Sequence, residues 1–178
     1  MITINKSILG IIPARHKSKR LLNKNLKLFN KKPLIHWTIK ASQKSKLISK
    51  TLVTTDSLKI LKKAKDLKVD YCLKRPKKLS TSKADTWSVV KHAVNYLKKK
   101  NLYYDYVVVL QPTSPLRNAN HIDRCLKKLK KNHTGIISIS KTLKPIEWQV
   151  NLGKRKNFNF FKKGILKYRR KKRINNSY

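Results

Sequence analysis

Residues 8–16, Ile8-Leu9-Gly10-Ile11-Ile12-Pro13-Ala14-Arg15-His16, set a short β-branched run against a proline and then against cations. So short and so apolar a run reads as a strand buried on both faces, as an inner strand of a parallel sheet must be. Similar runs return at residues 50–55, 69–73, 106–110 and 135–140. Between them, residues 34–45, 57–67, 85–100 and 119–132 place apolar residues at helical spacing. In the third of these, Trp87, Val90, Ala93, Val94 and Leu97 form the predicted buried stripe, with Lys91, Lys98, Lys99 and Lys100 toward water. Strands alternating with amphipathic helices predict βαβ units, hence an α/β fold with a mainly parallel sheet.

With 178 residues and 39% hydrophobic content, the chain is expected to be one globular domain with a real core. No apolar run approaches the roughly 18 residues of a membrane span, and the patch at 8–14 is short and holds Pro13. Neither a span nor a signal peptide is expected, and the expected location is the cytoplasm. Cys72 and Cys125 sit in separate apolar-patterned segments without metal-ligand spacing, so they are expected to be buried free thiols.

Lys and Arg number 46 against 7 Asp and Glu, a formal net charge of +39. Such a charge invites a polyanion partner. Yet Lys far outnumbers Arg, whose fork suits phosphate and base edges better, and the lysines are spread over nearly every segment apart from a run at 167–173. Glu147 is the sole glutamate, which fits a broad composition bias. The distribution favours a solvated lysine surface that binds polyanions non-specifically at low salt. A non-catalytic polyanion- or RNA-binding α/β domain is the alternative.

In a parallel α/β sheet, ligands bind at the loops leaving the carboxyl ends of the strands. The first such loop carries Arg15, His16, Lys17, Ser18, Lys19, Arg20, Lys24 and Asn25. Cations and a hydroxyl gathered after a buried strand can wrap a triphosphate with charge-assisted bonds. The glycines and Gly-Lys-Ser/Thr ending of a Walker A loop are absent. Taken alone, a solvated basic loop is the other reading.

Further motifs follow in order: Ile11-Ile12-Pro13-Ala14-Arg15, Ser18-Lys19-Arg20-Leu21, Lys24-Asn25, Lys32-Pro33-Leu34-Ile35, Val53-Thr54-Thr55-Asp56-Ser57, Arg75-Pro76 with Leu79, and Leu110-Gln111-Pro112-Thr113-Ser114-Pro115-Leu116-Arg117. Over residues 8–140 this set resembles the acylneuraminate cytidylyltransferases, the enzymes that activate neuraminic, legionaminic and pseudaminic acids. The resemblance implies a Rossmann-like three-layer nucleotide-diphospho-sugar transferase fold. It also implies a nucleotidyltransferase reaction, in which the anomeric hydroxyl of an acidic nonulosonic sugar attacks the α-phosphorus of CTP, releasing pyrophosphate and forming a CMP-sugar for lipopolysaccharide or capsule biosynthesis. By the same resemblance, Arg15, Ser18 and Lys24 would hold the triphosphate, with Arg15 and Lys24 serving the transfer. Asn25 would assist the nucleotide pocket and Arg75 would face cytosine. Arg75 also reads as a loop arginine capping nearby carbonyls. Gln111 would orient the sugar, and Arg117 reads equally as packing or as carboxylate binding.

The family pattern is not followed throughout. His16-Lys17 stand where relatives usually carry Gly-Gly, Leu22-Asn23 where they carry Pro-Gly, and Ser82 and Lys83 precede Asp85 where an acidic residue is usual. The resemblance further implies Mg²⁺, bound by carboxylates of a C-terminal segment that also forms a homodimer. After Asp123 only Glu147 is acidic, so the expectation is a chain that ends before that segment, with no visible metal ligands and with turnover and dimerisation in doubt. The expected organisation is a nucleotide-binding α/β domain at 1–140 and a basic segment at 141–178 with part of the dimerisation and sugar-binding region.

Overall fold

The computed structural model describes residues 6–16, 21–81, 84–129 and 133–139. In chain order the elements are β1 (Ile8–Pro13), the two-residue strands β2 (Leu28–Phe29) and β3 (Lys32–Pro33), α1 (Leu34–Gln43), β4 (Lys50–Thr55), α2 (Leu58–Asp66), β5 (Tyr71–Lys74), α3 (Thr86–Lys98), β6 (Tyr106–Val109) and α4 (Ala119–Leu126). The main sheet has the order β5-β4-β1-β6 and every pairing in it is parallel. β1 is therefore central. The chain leaves it first toward β4 and β5 and later returns on its other side as β6, so a topological switch point lies between β1 and β6.

The alternation of β1 explains why it sits there. Ile8 and Ile12 point into a core built with Ile35 and Ile39 of α1, Ile60 and Ala64 of α2, and Ile122 and Leu126 of α4. Leu9 and Ile11 point the other way, into a core with Leu52, Leu73 and the α3 residues Val90, Ala93 and Leu97. Both faces of one strand are thus covered by helices, the three-layer arrangement that a parallel sheet demands. Gly10 is the exception in β1, since a Cβ there would meet Ser42 Oγ at 2.7 Å, and that hydroxyl is bound to Thr51 Oγ1 at 2.8 Å. Close seating of α1 on the sheet requires the glycine.

Local chemistry sets the boundaries. Ser57 Oγ accepts from the Ile60 amide and Asp85 Oδ1 from the Ser88 amide, so both residues expected to open helices are instead their N-caps. Asn118 and His121 form a reciprocal capping box on α4. Asp123 ties α4 to the chain after α1, accepting from Ser45 Oγ and, at 3.1 Å, from the Lys46 amide.

Three expectations need correction. Trp87 is 74% exposed, and the buried stripe of α3 runs through Val89, Val90, Ala93 and Leu97. β5 starts at Tyr71 and not at Val69, because Lys68 enters the left-handed region (φ 55°) and the Val69 amide bonds back to Ala64, finishing the turn after α2. The run at 135–139 forms no strand, for none of its amides or carbonyls finds a ladder partner among the described residues. Cys72 and Cys125 are half-buried, and no disulfide joins them. The described residues up to Lys127 form one compact unit, and the boundary expected after residue 140 falls outside the described residues.

Candidate active site

The carboxyl ends of β1, β4 and β6 hold most of the residues singled out by sequence. Ala14, directly after β1, is fully buried and its amide donates to the Thr54 carbonyl at 3.0 Å. Arg15 and His16 follow, half-buried. The two ends of this loop are stapled together by Asn25, 6% exposed, whose Nδ2 donates to the Arg15 carbonyl at 2.9 Å. Asn25 therefore braces the loop's own backbone. Lys24 opens a 3-10 turn over Lys24–Leu26. The residue before it, Asn23, has φ 53°, the left-handed conformation that a glycine would supply, so the Leu22-Asn23 departure from the family's usual residues keeps the turn. Ser18 and Lys19 lie outside the described residues.

Arg75 follows β5 and is 6% exposed. Its amide donates to the Thr55 carbonyl at 2.7 Å, Nη2 to the Thr54 carbonyl at 2.7 Å and Nη1 to the Leu79 carbonyl at 3.4 Å. The guanidinium is thus engaged as a carbonyl cap, one of the two roles its sequence position allows, while its Nε is buried without a partner. Burial lowers its pKa from the ordinary arginine value, nearby Asp56 pushes it back up, and Arg15 lowers it further. Thr54 O accepts from both Ala14 and Arg75, so the first and third loops converge on the end of β4.

Asp56, the next residue but one, adds a side-chain link. Its Oδ1 accepts from the His16 amide at 2.7 Å. In the sequence Asp56 stands out only as part of the Val53-Thr54-Thr55-Asp56-Ser57 motif. The available signal was its rarity, one of seven acidic residues in the chain, at the end of a buried strand.

Across the switch point, the Leu110 amide donates to the Ile11 carbonyl at 2.9 Å and brings the loop after β6 to the same sheet edge as Arg15. Gln111 is exposed there, and Pro112 behind it is buried. Arg117 Nη2 donates to the Gln111 carbonyl at 2.9 Å, closing the loop, and burial lowers the Arg117 pKa from its ordinary value. Of the residues proposed from sequence, Arg15, Lys24, Asn25, Arg75 and Gln111 all fall on this edge. Half-buried cations on a backbone-braced loop can bind an anion without reorganising. Among the described residues no three His, Cys, Asp or Glu side chains come together, so these residues do not by themselves fit an Mg²⁺ site.

The sequence profile described as Cytidylyltransferase matches residues 9–174. The chain is 35% identical over 167 residues to an N-acylneuraminate cytidylyltransferase of Escherichia coli O18:K1:H7, covering 92% of this chain and 38% of the relative. It is 34% identical over 139 residues to a CMP-N,N'-diacetyllegionaminic acid synthase of Legionella pneumophila, covering 78% and 60%. It is 32% identical over 126 residues to a pseudaminic acid cytidylyltransferase of Campylobacter jejuni, covering 71% and 54%. The chain thus spans between 38% and 60% of the length of these relatives. Among solved structures, the fold is similar to a CMP:2-keto-3-deoxy-manno-octonic acid synthetase complexed with CTP, at TM-score 0.55 and 20% identity, covering 68% of this chain and 46% of that one. It is also similar to a cytidylyltransferase from Leptospira borgpetersenii, at TM-score 0.56 and 19% identity, covering 72% and 51%. With the profile running from β1 to residue 174, the chain belongs to the cytidylyltransferase family.

Proposed function

We propose that this chain binds CTP at the edge formed by the loops after β1, β5 and β6, and serves the transfer of CMP to an acidic nonulosonic sugar with release of pyrophosphate. The observation that carries this reading is the loop after β1: it is braced at both ends by Asn25 and Asp56, presents Arg15 and Lys24, and faces the switch point where such folds bind nucleotides. Relatives at about one-third identity are named for acylneuraminic, legionaminic and pseudaminic acids, which supports an acidic nonulosonic sugar as the acceptor.

In this reading Arg15, Ser18 and Lys24 hold the triphosphate, the two cations neutralising it and the hydroxyl donating a hydrogen bond, because phosphoryl transfer is served by positioning and charge more than by covalent help. Arg75 borders the base, its guanidinium already fixed by Thr54 and Leu79. Gln111 orients the sugar acid from the opposite loop. CTP is a cytoplasmic metabolite, and we place the reaction there.

The test is calorimetric titration of CTP, UTP, ATP and GTP at moderate salt, followed by pyrophosphate release across several acidic sugars. Preference for CTP supports the reading, and equal affinity for all four nucleotides overturns it. The net charge of +39 favours a second reading, non-specific polyanion binding. That reading expects affinity to fall linearly in log salt with no base preference.

A further inference from the structure

We propose that Asp56 is a positioning residue of this site: its carboxylate fixes the backbone of the loop after β1 through the His16 amide. The proposal rests on the anion-binding part of the reading above and assigns a role to a residue outside the set that would touch substrate.

A carboxylate beside a phosphate site repels the ligand, so one retained there in a chain with 46 cations and 7 acids calls for a compensating role. Helix capping does not supply it, because the N-cap of α2 is Ser57, whose Oγ accepts from Ile60. Metal binding does not supply it either, since no second and third ligand gather there among the described residues. What Asp56 does is link segments 40 residues apart, at 2.7 Å, in a part-buried bond. Three consecutive residues at the end of β4 then hold the neighbouring loops. Thr54 O takes the Ala14 amide and Arg75 Nη2, Thr55 O takes the Arg75 amide, and Asp56 takes the His16 amide. Only the last of these depends on a side chain of β4 or its exit, so Asp56 is the one of the three whose own substitution removes a link.

Without the carboxylate, the loop amide of His16 loses its acceptor.

The experiment compares wild type, Asp56→Ala and Asp56→Asn by titration with CTP and with inorganic tripolyphosphate, and follows exchange of the His16 amide by NMR. Asp56→Ala is expected to weaken both ligands by about tenfold or more, the scale of a lost charge-assisted bond, and to unprotect the His16 amide. Asp56→Asn keeps an oxygen acceptor and is expected to retain protection and to bind tripolyphosphate within about threefold of wild type. A purely structural role would lower thermal stability in both without this split. Wild-type affinity in Asp56→Ala overturns the proposal. So does an Asp56→Asn that keeps His16 protected yet binds as weakly as Ala, and this second variant still decides if Ala fails to fold. Wild type that binds tripolyphosphate without preferring CTP overturns the nucleotide reading alone, and the variants then decide Asp56 on tripolyphosphate. Wild type that binds neither ligand overturns both.

Discussion

Arg117 donates from Nη2 to the main-chain carbonyl of Gln111 at 2.9 Å, so the loop after β6 is a ring closed by its own last side chain. The two residues therefore play different parts. Gln111 contributes its backbone to the ring and leaves its side chain exposed, whereas the Arg117 side chain is itself the closure.

Substitution should separate them. Gln111→Ala leaves the carbonyl in place and is expected to change unfolding free energy by no more than about 0.5 kcal/mol, as exposed side chains do. It should also leave CTP affinity nearly intact while any sugar-dependent signal falls. Arg117→Ala removes the closure and a partly desolvated cation, and is expected to cost about 1–3 kcal/mol in urea unfolding. Loss of CTP binding in a folded Gln111→Ala would take Gln111 out of the sugar-facing role.

Asn23 permits a test of why the first loop tolerates a side chain where relatives usually carry glycine. It holds φ 53°, and its Oδ1 is buried without a partner. Asn23→Gly is expected to be neutral or stabilising, since glycine enters this region freely and removes the orphaned oxygen. Asn23→Ala should cost about 1–2 kcal/mol, the penalty of a Cβ in the left-handed region. Equal stability of the two variants in thermal unfolding would show that the backbone conformation is not what the position demands.

Much of the fold was legible because burial on both faces leaves a signature. Ile8, Leu9, Ile11 and Ile12 could be assigned to an inner strand before any pairing was known, and helical spacing placed the starts of α2 and α3 at Ser57 and Asp85, one residue early because both are N-caps. Trp87 misled because position 87 lies on the same helical stripe as Val90 and Val94, and only the packed sheet decides that Val89 is covered instead. The run at 135–139 has strand composition, but a strand also needs a ladder partner, which composition does not specify. Asp56 was illegible for a related reason. Its partner is the backbone amide of His16, and a main-chain donor leaves no trace in the identity of residue 16.

Acid sensitivity follows from Asp70. Partial burial works to raise its carboxyl, but the Lys50 ammonium at 2.8 Å and the Thr51 amide at 2.9 Å outweigh that and hold it below its ordinary value of 3.8. A folded pKa below the unfolded one gives stability that is fully present above about pH 4 and is lost as pH falls through the folded value. With Lys50 half exposed, solvent screening keeps this contribution small. Asp70→Asn should therefore flatten part of the stability loss between about pH 4 and pH 2 in urea unfolding. An unchanged acid limb in the variant would mean that the ion pair is not formed in solution.

The sharpest prediction concerns Arg75, where stability and recognition meet in one side chain. Its Nη atoms are engaged with Thr54 and Leu79, so Arg75→Ala removes two carbonyl partners from a buried site and leaves Asp56 without its counter-charge. A loss of about 1.5–3 kcal/mol in unfolding free energy is expected, as for hydrogen bonds to charged groups. Arg75→Lys keeps the charge but cannot fork to two carbonyls, so it should recover less than half of that loss. Recognition is read separately, from the ratio of CTP to UTP and ATP affinities. Lys24→Ala should lower affinity for every nucleotide by a similar factor, about tenfold for one charge-assisted contact to phosphate. In Arg75→Lys the phosphate contacts survive, so overall affinity should fall little while the preference for cytosine erodes. If base preference stays at the wild-type ratio while stability drops as expected, Arg75 is a carbonyl cap alone, and cytosine must be read by other groups on this edge.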